Sequence, residues 1–316
     1  MSHELTFRAN GKVEMAYKGE TPWHGLGAPL PNGGTIEQWI DAAGMDWRVL
    51  RSVVRYSTAR NPTVDDFLTL DERHVLFRSD NKLPLGIVSD HYKVVQPKEV
   101  LEFFRDLTEE LGFELETAGT LHGGKKYWAL ARVTSDEGVL DRNDTVGGYL
   151  LLATSADGTT PTTGRFTHVR VVCKNTLSAA FAKKADFSLT HRSRFDGAAA
   201  KRELGINTGD VRNELSGQME FFRNLAKTKL SENTMVELTL RLIAGNKFDE
   251  LNDAGKIAIA KKPAASIIGN LATTGKGLIG ADMRGVNGTA WGWLNSVTQY
   301  VDHMARAASS SNRLDS

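Results

Sequence analysis

The stretch Phe113-Glu-Leu-Glu-Thr-Ala-Gly-Thr-Leu-His-Gly-Gly-Lys-Lys-Tyr-Trp-Ala-Leu-Ala-Arg-Val-Thr134 decides the fold. Two β-rich runs, 113–121 and 125–134, flank His122-Gly-Gly, and glycine accepts the positive φ that a tight hairpin imposes. A hairpin pairs its strands antiparallel. The same pattern recurs on both sides. Residues 146–155 and 160–172 face each other across Ala156-Asp-Gly, and His74-Val-Leu-Phe-Arg and Leu85-Gly-Ile-Val-Ser flank Ser79-Asp-Asn-Lys. Residues 47–56 are β-rich, and 187–194 read as a further strand.

Helices enclose these hairpins. Thr35 and Gln38 make a capping box ahead of Ile36, Trp39 and Ile40. Pro97 opens a helix whose apolar positions, Val100, Leu101, Phe104, Leu107 and Leu111, recur at three and four before Gly112. A short helix is expected over 174–185. From about Ala198 the pattern is helical, with a stripe Val211, Leu215, Met219, Phe222, Leu225. Ser231 or Asn233 caps a helix with Val236, Leu240 and Ile243 on one face, and 289–307 carries Trp291, Leu294, Val297, Thr298 and Val301. Hairpins followed by segregated helices predict an α+β fold, an antiparallel sheet with packed helices and a helical C-terminal part. The expected organisation is an N-terminal arm (1–34), an α+β core (35–196) and a helical region (197–316) packed on the core or on neighbouring subunits.

Of the 316 residues, 41% are apolar and 24% charged, enough for a real core. One cysteine, Cys173, forbids an internal disulfide, and the N-terminus lacks the apolar region of a signal peptide. No run of about 18 apolar residues predicts a membrane span. These features predict a cytoplasmic protein. Most catalytic signatures fail. Gly269-Asn-Leu-Ala-Thr-Thr-Gly-Lys-Gly has the wrong spacing for a phosphate loop and puts Gly277 where a Ser or Thr would hold Mg²⁺. The eight histidines show no metal-ligand spacing. Neither a metal nor another cofactor is expected, and no catalytic residue stands out. Cys173 reads as a small apolar residue rather than a nucleophile.

The net charge of +1 hides a polarity. Residues 164–205 hold nine basic residues against three acids, and 97–120 hold seven acids against two basic residues. In the basic segment a strand with Arg165 and Arg170 leads into a helix start at Lys174 and Asn175, followed by Lys183, Lys184, Arg192 and Arg194. A helix N-terminus beside cations suits a phosphate. Lys125 and Lys126 add charge beside Tyr127 and Trp128, and cations among aromatic rings suit a single strand. The expected nucleic-acid contacts are therefore Lys125, Lys126, Arg165, Arg170, Lys174, Asn175, Lys183, Lys184, Arg192 and Arg194. The competing expectation is that Arg170 or Lys174 pairs with the acidic helix.

Several stretches resemble a phage- and plasmid-borne family catalogued as domain of unknown function 932. They are Met15-Ala-Tyr-Lys-Gly-Glu-Thr-Pro-Trp-His-Gly-Leu-Gly, Leu85-Gly-Ile-Val-Ser-Asp-His-Tyr-Lys-Val-Val-Gln-Pro, Thr117 to Ala131, Arg170-Val-Val-Cys-Lys-Asn-Thr-Leu-Ser-Ala-Ala and Gly288 to His303. Members of the family continue a little beyond the terminal Asn-Arg-Leu-Asp-Ser, which implies a trimmed chain. The order of elements is also similar to phage single-strand annealing proteins of the RecT and Erf kind. That similarity implies a non-enzymatic protein that binds and anneals single-stranded DNA in recombination, as a ring or filament of identical subunits, without a cofactor. The alternatives are an interaction protein that modulates a host factor, of the antirestriction type, and a nuclease.

Overall fold

The computed structural model describes residues 4–133 apart from 23 and 62, then 137–138, 145–169, 177, 180–181, 184–206, 210–259 and 285–300. The chain forms two compact units. One comprises His3–Ser135 and Gly147–Arg212, the other Asp136–Val146 and Asn213–Ser316.

The first unit is built on the expected hairpins. Strands β1 (Met15–Tyr17), β2 (Ala28–Pro29), β6 (Glu114–Leu121), β7 (Lys126–Arg132), β10 (Tyr149–Ser155), β11 (Thr162–Thr167) and β12 (Phe187–Leu189) form a seven-stranded sheet in the order β12-β11-β10-β7-β6-β1-β2. Strands β3 (Val49–Tyr56), β4 (Leu68–Arg78) and β5 (Pro84–Ser89) form a three-stranded sheet in chain order. Every pairing is antiparallel except β1 with β2. The hairpin turn has positive φ at His122, Gly123 and Gly124, as a connection this tight demands.

Both faces of the large sheet are covered, so β10 is buried along its whole length. On one face Trp128, Leu130, Leu151 and Tyr149 pack with Leu121, Met15, Leu177 and Ala180. The other face of β7 carries Tyr127, Ala129 and Ala131. Over it lie helix α2 (Pro97–Glu102) and the Val95 carbonyl, to which the Tyr127 hydroxyl donates. Each fully buried Leu or Met here stabilises by roughly 1.5–3 kcal/mol. Helix α1 (Ile36–Ala42) is fixed by the expected capping box, in which the Gln38 amide donates to Thr35 Oγ1 at 3.3 Å and the Thr35 amide to Gln38 Oε1 at 2.9 Å.

Three sequence expectations change. Residues 4–31 are not an arm: β1 lies between β6 and β2, and Met15 and Ala16 are fully buried. The helix expected from Pro97 divides at Phe103 and Phe104 into α2 and α3 (Arg105–Glu109), which leaves Leu111 49% exposed. The strand expected over 187–194 stops at Leu189, because His191 turns inward and anchors a loop.

Helix α4 (Gly197–Glu203) closes the first unit, capped by Asp196 Oδ1, which accepts from the Ala198 and Ala199 amides. The second unit is helical, with α5 (Asp210–Lys227, most of which belongs to it), α6 (Glu232–Ala244), α7 (Asp253–Ile259) and α8 (Ala290–Gln299), plus a small ladder of β8 (Glu137–Gly138) and β9 (Thr145–Val146). Its core joins Met219, Ala226, Val286 and Trp291. Ser231 caps α6 as expected. The buried positions of α6 are Met235 and Thr239 rather than Val236 and Leu240, because the Trp293 indole donates to Thr239 Oγ1 at 2.9 Å. Among the described residues no helix is long and apolar enough to cross a membrane.

Candidate nucleic-acid interface

Two of the expected contacts, Arg192 and Arg194, follow a loop clasp in the first unit whose centre is His191. Its ring stacks on Tyr92 with centroids 4.3 Å apart and 16° between planes. Nδ1 lies 2.9 Å from the Lys93 carbonyl oxygen, and Nε2 lies 3.1 Å from that of Thr160 and 3.4 Å from Thr154 Oγ1. The Lys93 amide donates back to the His191 carbonyl at 2.6 Å. The Tyr92 hydroxyl donates to the Ser155 carbonyl at 2.8 Å, and burial, then the charge of Asp157, pushes its pKa up. Arg51 reaches across with Nη1 to the Asp90 carbonyl and Nη2 to that of Tyr92. Residues 90–93, 155–160 and 190–194 are thereby held together by side chains from three separate elements.

This clasp displays charge. Lys93, Arg192 and Arg194 are exposed, and so is Lys125, whose carbonyl accepts from the Ala156 amide beside the clasp. Lys184 is exposed as well, but it precedes β12 and lies at the other end of that strand from His191. Among the described residues no acid lies within ion-pair distance of these five. Lys126 is half-buried at the start of β7. Arg165 does not belong to this surface. It is 5% exposed, donates from Nη1 to the Ala180 carbonyl at 2.9 Å and lies 4.5 Å over the Phe181 ring. Burial lowers its pKa from the ordinary arginine value against the opposing charge of Asp186. Strand β11 is buried on both faces, so either orientation of Arg165 points inward. Arg170, Lys174, Asn175 and Lys183 lie outside the described residues, as do Cys173 and the stretch 269–277.

The acidic segment is largely neutralised from within the fold. Arg105 donates to Glu102 at 2.7 Å and to Glu37 at 2.6 Å, and lies 3.7 Å from Glu109. Lys98 adds to Glu102, Lys18 pairs with Glu114, and Arg132 lies 3.2 Å from Glu116. The basic segment contributes Lys201, whose ammonium pairs with Asp106 over the Phe103 ring. Burial raises the Asp106 pKa, but the Lys201 bond outweighs it and holds the carboxyl below its ordinary value.

A second polar cluster lies under a cleft of about 570 Å³ lined in part by Arg8, Asp46, Asp80 and Asn81. Arg78, 1% exposed, donates to both oxygens of Glu14 at 2.9 and 2.5 Å and to both of Asp80 at 3.0 and 2.7 Å, and lies 4.1 Å over the Trp47 ring. Burial pulls the Arg78 pKa down, but these bonds win and hold it above its ordinary value. Thr120 Oγ1 also donates to Glu14. With its oxygens occupied by Arg78 and Thr120, Glu14 joins β1 to β4 and β6. Among the described residues no three His, Cys, Asp or Glu side chains converge as metal ligands.

Sequence reasoning missed Lys93 and Arg51. Lys93 stands in Asp-His-Tyr-Lys without basic neighbours, and only the bond between its amide and the His191 carbonyl places it beside Arg192. A family model described as Domain of unknown function (DUF932) matches residues 84–316. No curated protein and no solved structure matches the chain.

Proposed function

The chain belongs to the family of domain of unknown function 932, and we propose that it binds single-stranded DNA and promotes its annealing in phage or plasmid recombination. In this reading it works in the bacterial cytoplasm, as a homo-oligomer and without a cofactor. One observation carries the proposal: the His191 clasp holds Lys93, Arg192 and Arg194 exposed, with no acid among the described residues within ion-pair distance of them. Uncompensated cations on a rigid support attract a phosphate backbone regardless of sequence, and released counterions provide most of the free energy. Arg170, Lys174, Asn175 and Lys183 extend the same segment in sequence and belong to the proposed contact surface, with Lys125, Lys126 and Lys184. Arg165 acts in this reading as interior support.

The test is fluorescence anisotropy of a labelled oligothymidylate against salt. The chain should bind with a log–log slope of roughly −0.7 per phosphate contact. Reversing Lys93, Arg192 and Arg194 to Glu should abolish binding and leave the melting temperature nearly unchanged. If the reversed protein binds as before, or the wild type captures a host protein and ignores the oligonucleotide, the proposal is wrong.

A further inference from the structure

We infer that the β3–β4 hairpin is an assembly arm, and that its occupant is a second copy of this chain docked head to tail along the hairpin's edges. The distal half of the hairpin lacks cover. Val53, Tyr56, Phe67, Leu68 and Leu70 are all 43% exposed or more. The register pairs Val54 with Leu70 and Tyr56 with Leu68, so these four share one face. A monomer that leaves such a face and its edges in water risks uncontrolled pairing, which proteins avoid by covering or occupying them.

Both edges are open. Gln96 ties the outward backbone of Val49, with the Val49 amide donating to Gln96 Oε1 at 2.8 Å and Gln96 Nε2 to the Val49 carbonyl at 3.2 Å. Beyond that point no described backbone group pairs with the outer side of β3. On the other side β5 pairs with β4 only along Arg73–Phe77, and no described backbone group pairs with that side of residues 68–71.

Charge selects the partner. From Trp47 to Val64 the charged residues are Arg48, Arg51, Arg55 and Arg60, with no acid among them. From Asp65 to Glu72 they are Asp65, Asp66, Asp71 and Glu72, with no cation. One edge of the arm therefore carries Arg55 and leads to Arg60, with Arg51 turned to the Asp90 and Tyr92 carbonyls, and the other carries Asp71 and Glu72. Pairing β3 with a second β3 sets arginine against arginine. Pairing β3 with the distal β4 of another copy sets arginine against carboxylate, and opposite charges across an interface fix register and orientation. That contact is heterologous, so repetition closes a ring or extends a filament. Added strands bond through backbone groups, which gives the arm affinity while the charges give specificity.

The inference rests on the self-association in the proposed function and not on its DNA contact. The test is light scattering of the full chain after size exclusion, without DNA. Wild type should be oligomeric. Arg55→Glu with Arg60→Glu should fall to the mass of one chain, and so should Asp71→Lys with Glu72→Lys. Val53→Pro, which removes an outward amide on β3, should do the same. The chain carrying all four charge reversals should assemble again, because its edges are once more opposite in sign; that recovery excludes misfolding as the cause of dissociation. A monomeric wild type, assembly that ignores either charge reversal, or no recovery in the four-fold variant overturns the inference. A monomer that still binds oligothymidylate sinks this inference alone, and an oligomer that ignores oligothymidylate sinks the DNA reading alone.

Discussion

Arg78, Arg165 and Arg194 are the same residue type put to three uses, and burial separates them. Arg78 holds Glu14 in the interior. Removing one partner of a buried ion pair strands the other charge, so Arg78→Ala should cost about 3–5 kcal/mol in urea unfolding. Replacing Glu14 and Arg78 together by Leu and Met should recover most of that loss, since the cost comes from the stranded charge. Arg165 bonds the Ala180 carbonyl and covers Phe181. Arg165→Ala should lower the urea midpoint and leave the salt slope of oligonucleotide binding unchanged. Arg194 is exposed in the loop after His191. Arg194→Ala should change stability by no more than about 0.5 kcal/mol and flatten the salt slope by about 0.7. If Arg165→Ala flattens the slope and Arg194→Ala does not, the surface has been assigned to the wrong residues.

At the scale of elements, two turns decide how strands meet. A Cβ on Gly124 would lie 2.8 Å from the Trp47 ring and 2.9 Å from Arg78 Nη1, at a φ of +94°. A Cβ on Gly86 would lie 2.7 Å from Asp157 Cα, where β5 passes under the β10–β11 turn. Overpacking of this kind costs about 1–3 kcal/mol, so Gly86→Ala and Gly124→Ala should each lower the melting temperature. Gly123→Ala, with open space around it, should cost less than Gly124→Ala. The α1 capping box is a milder case, and Thr35→Ala should cost about 1 kcal/mol. These elements were also the most legible in the sequence. The Phe113–Thr134 hairpin, the Thr35–Gln38 box and the Ser231 cap are local, each specified within a few residues. The split of the Pro97 helix was not legible, because Val100, Leu101, Phe104 and Leu107 keep helical spacing and burial across the break.

Over the whole molecule, pH should act through the paired carboxyls. Arg105 holds Glu37 and Glu102 below their ordinary pKa of 4.5, while Asp80 and Asp106 stay below 3.8 because Arg78 and Lys201 outweigh the effect of burial. A depressed carboxyl contributes stability above its ordinary value and loses it as pH falls through the depressed one. The urea midpoint should therefore hold down to about pH 5 and fall below about pH 4. Tyr92 works in the opposite sense. Burial raises its pKa from 10.0, so its contribution is present below pH 10 and lost as pH rises beyond it. Circular dichroism melts at both extremes would check these signs, and a midpoint that rises on acidification below pH 4 would contradict them. The sequence alone determined the α+β class, the antiparallel hairpins, the helix caps and the family, because each is written in short-range periodicity or in motifs quoted whole. Tertiary structure alone decided that Met15–Tyr17 is an inner strand, that Arg165 is buried and that Lys93 stands beside Arg192. It also decided that no described strand pairs with the edges of the distal β3–β4 hairpin. The physical reason is that alternation along a strand separates two faces but does not say which of them meets protein. That depends on partners distant in the chain, such as Glu14 and Arg78, 64 residues apart.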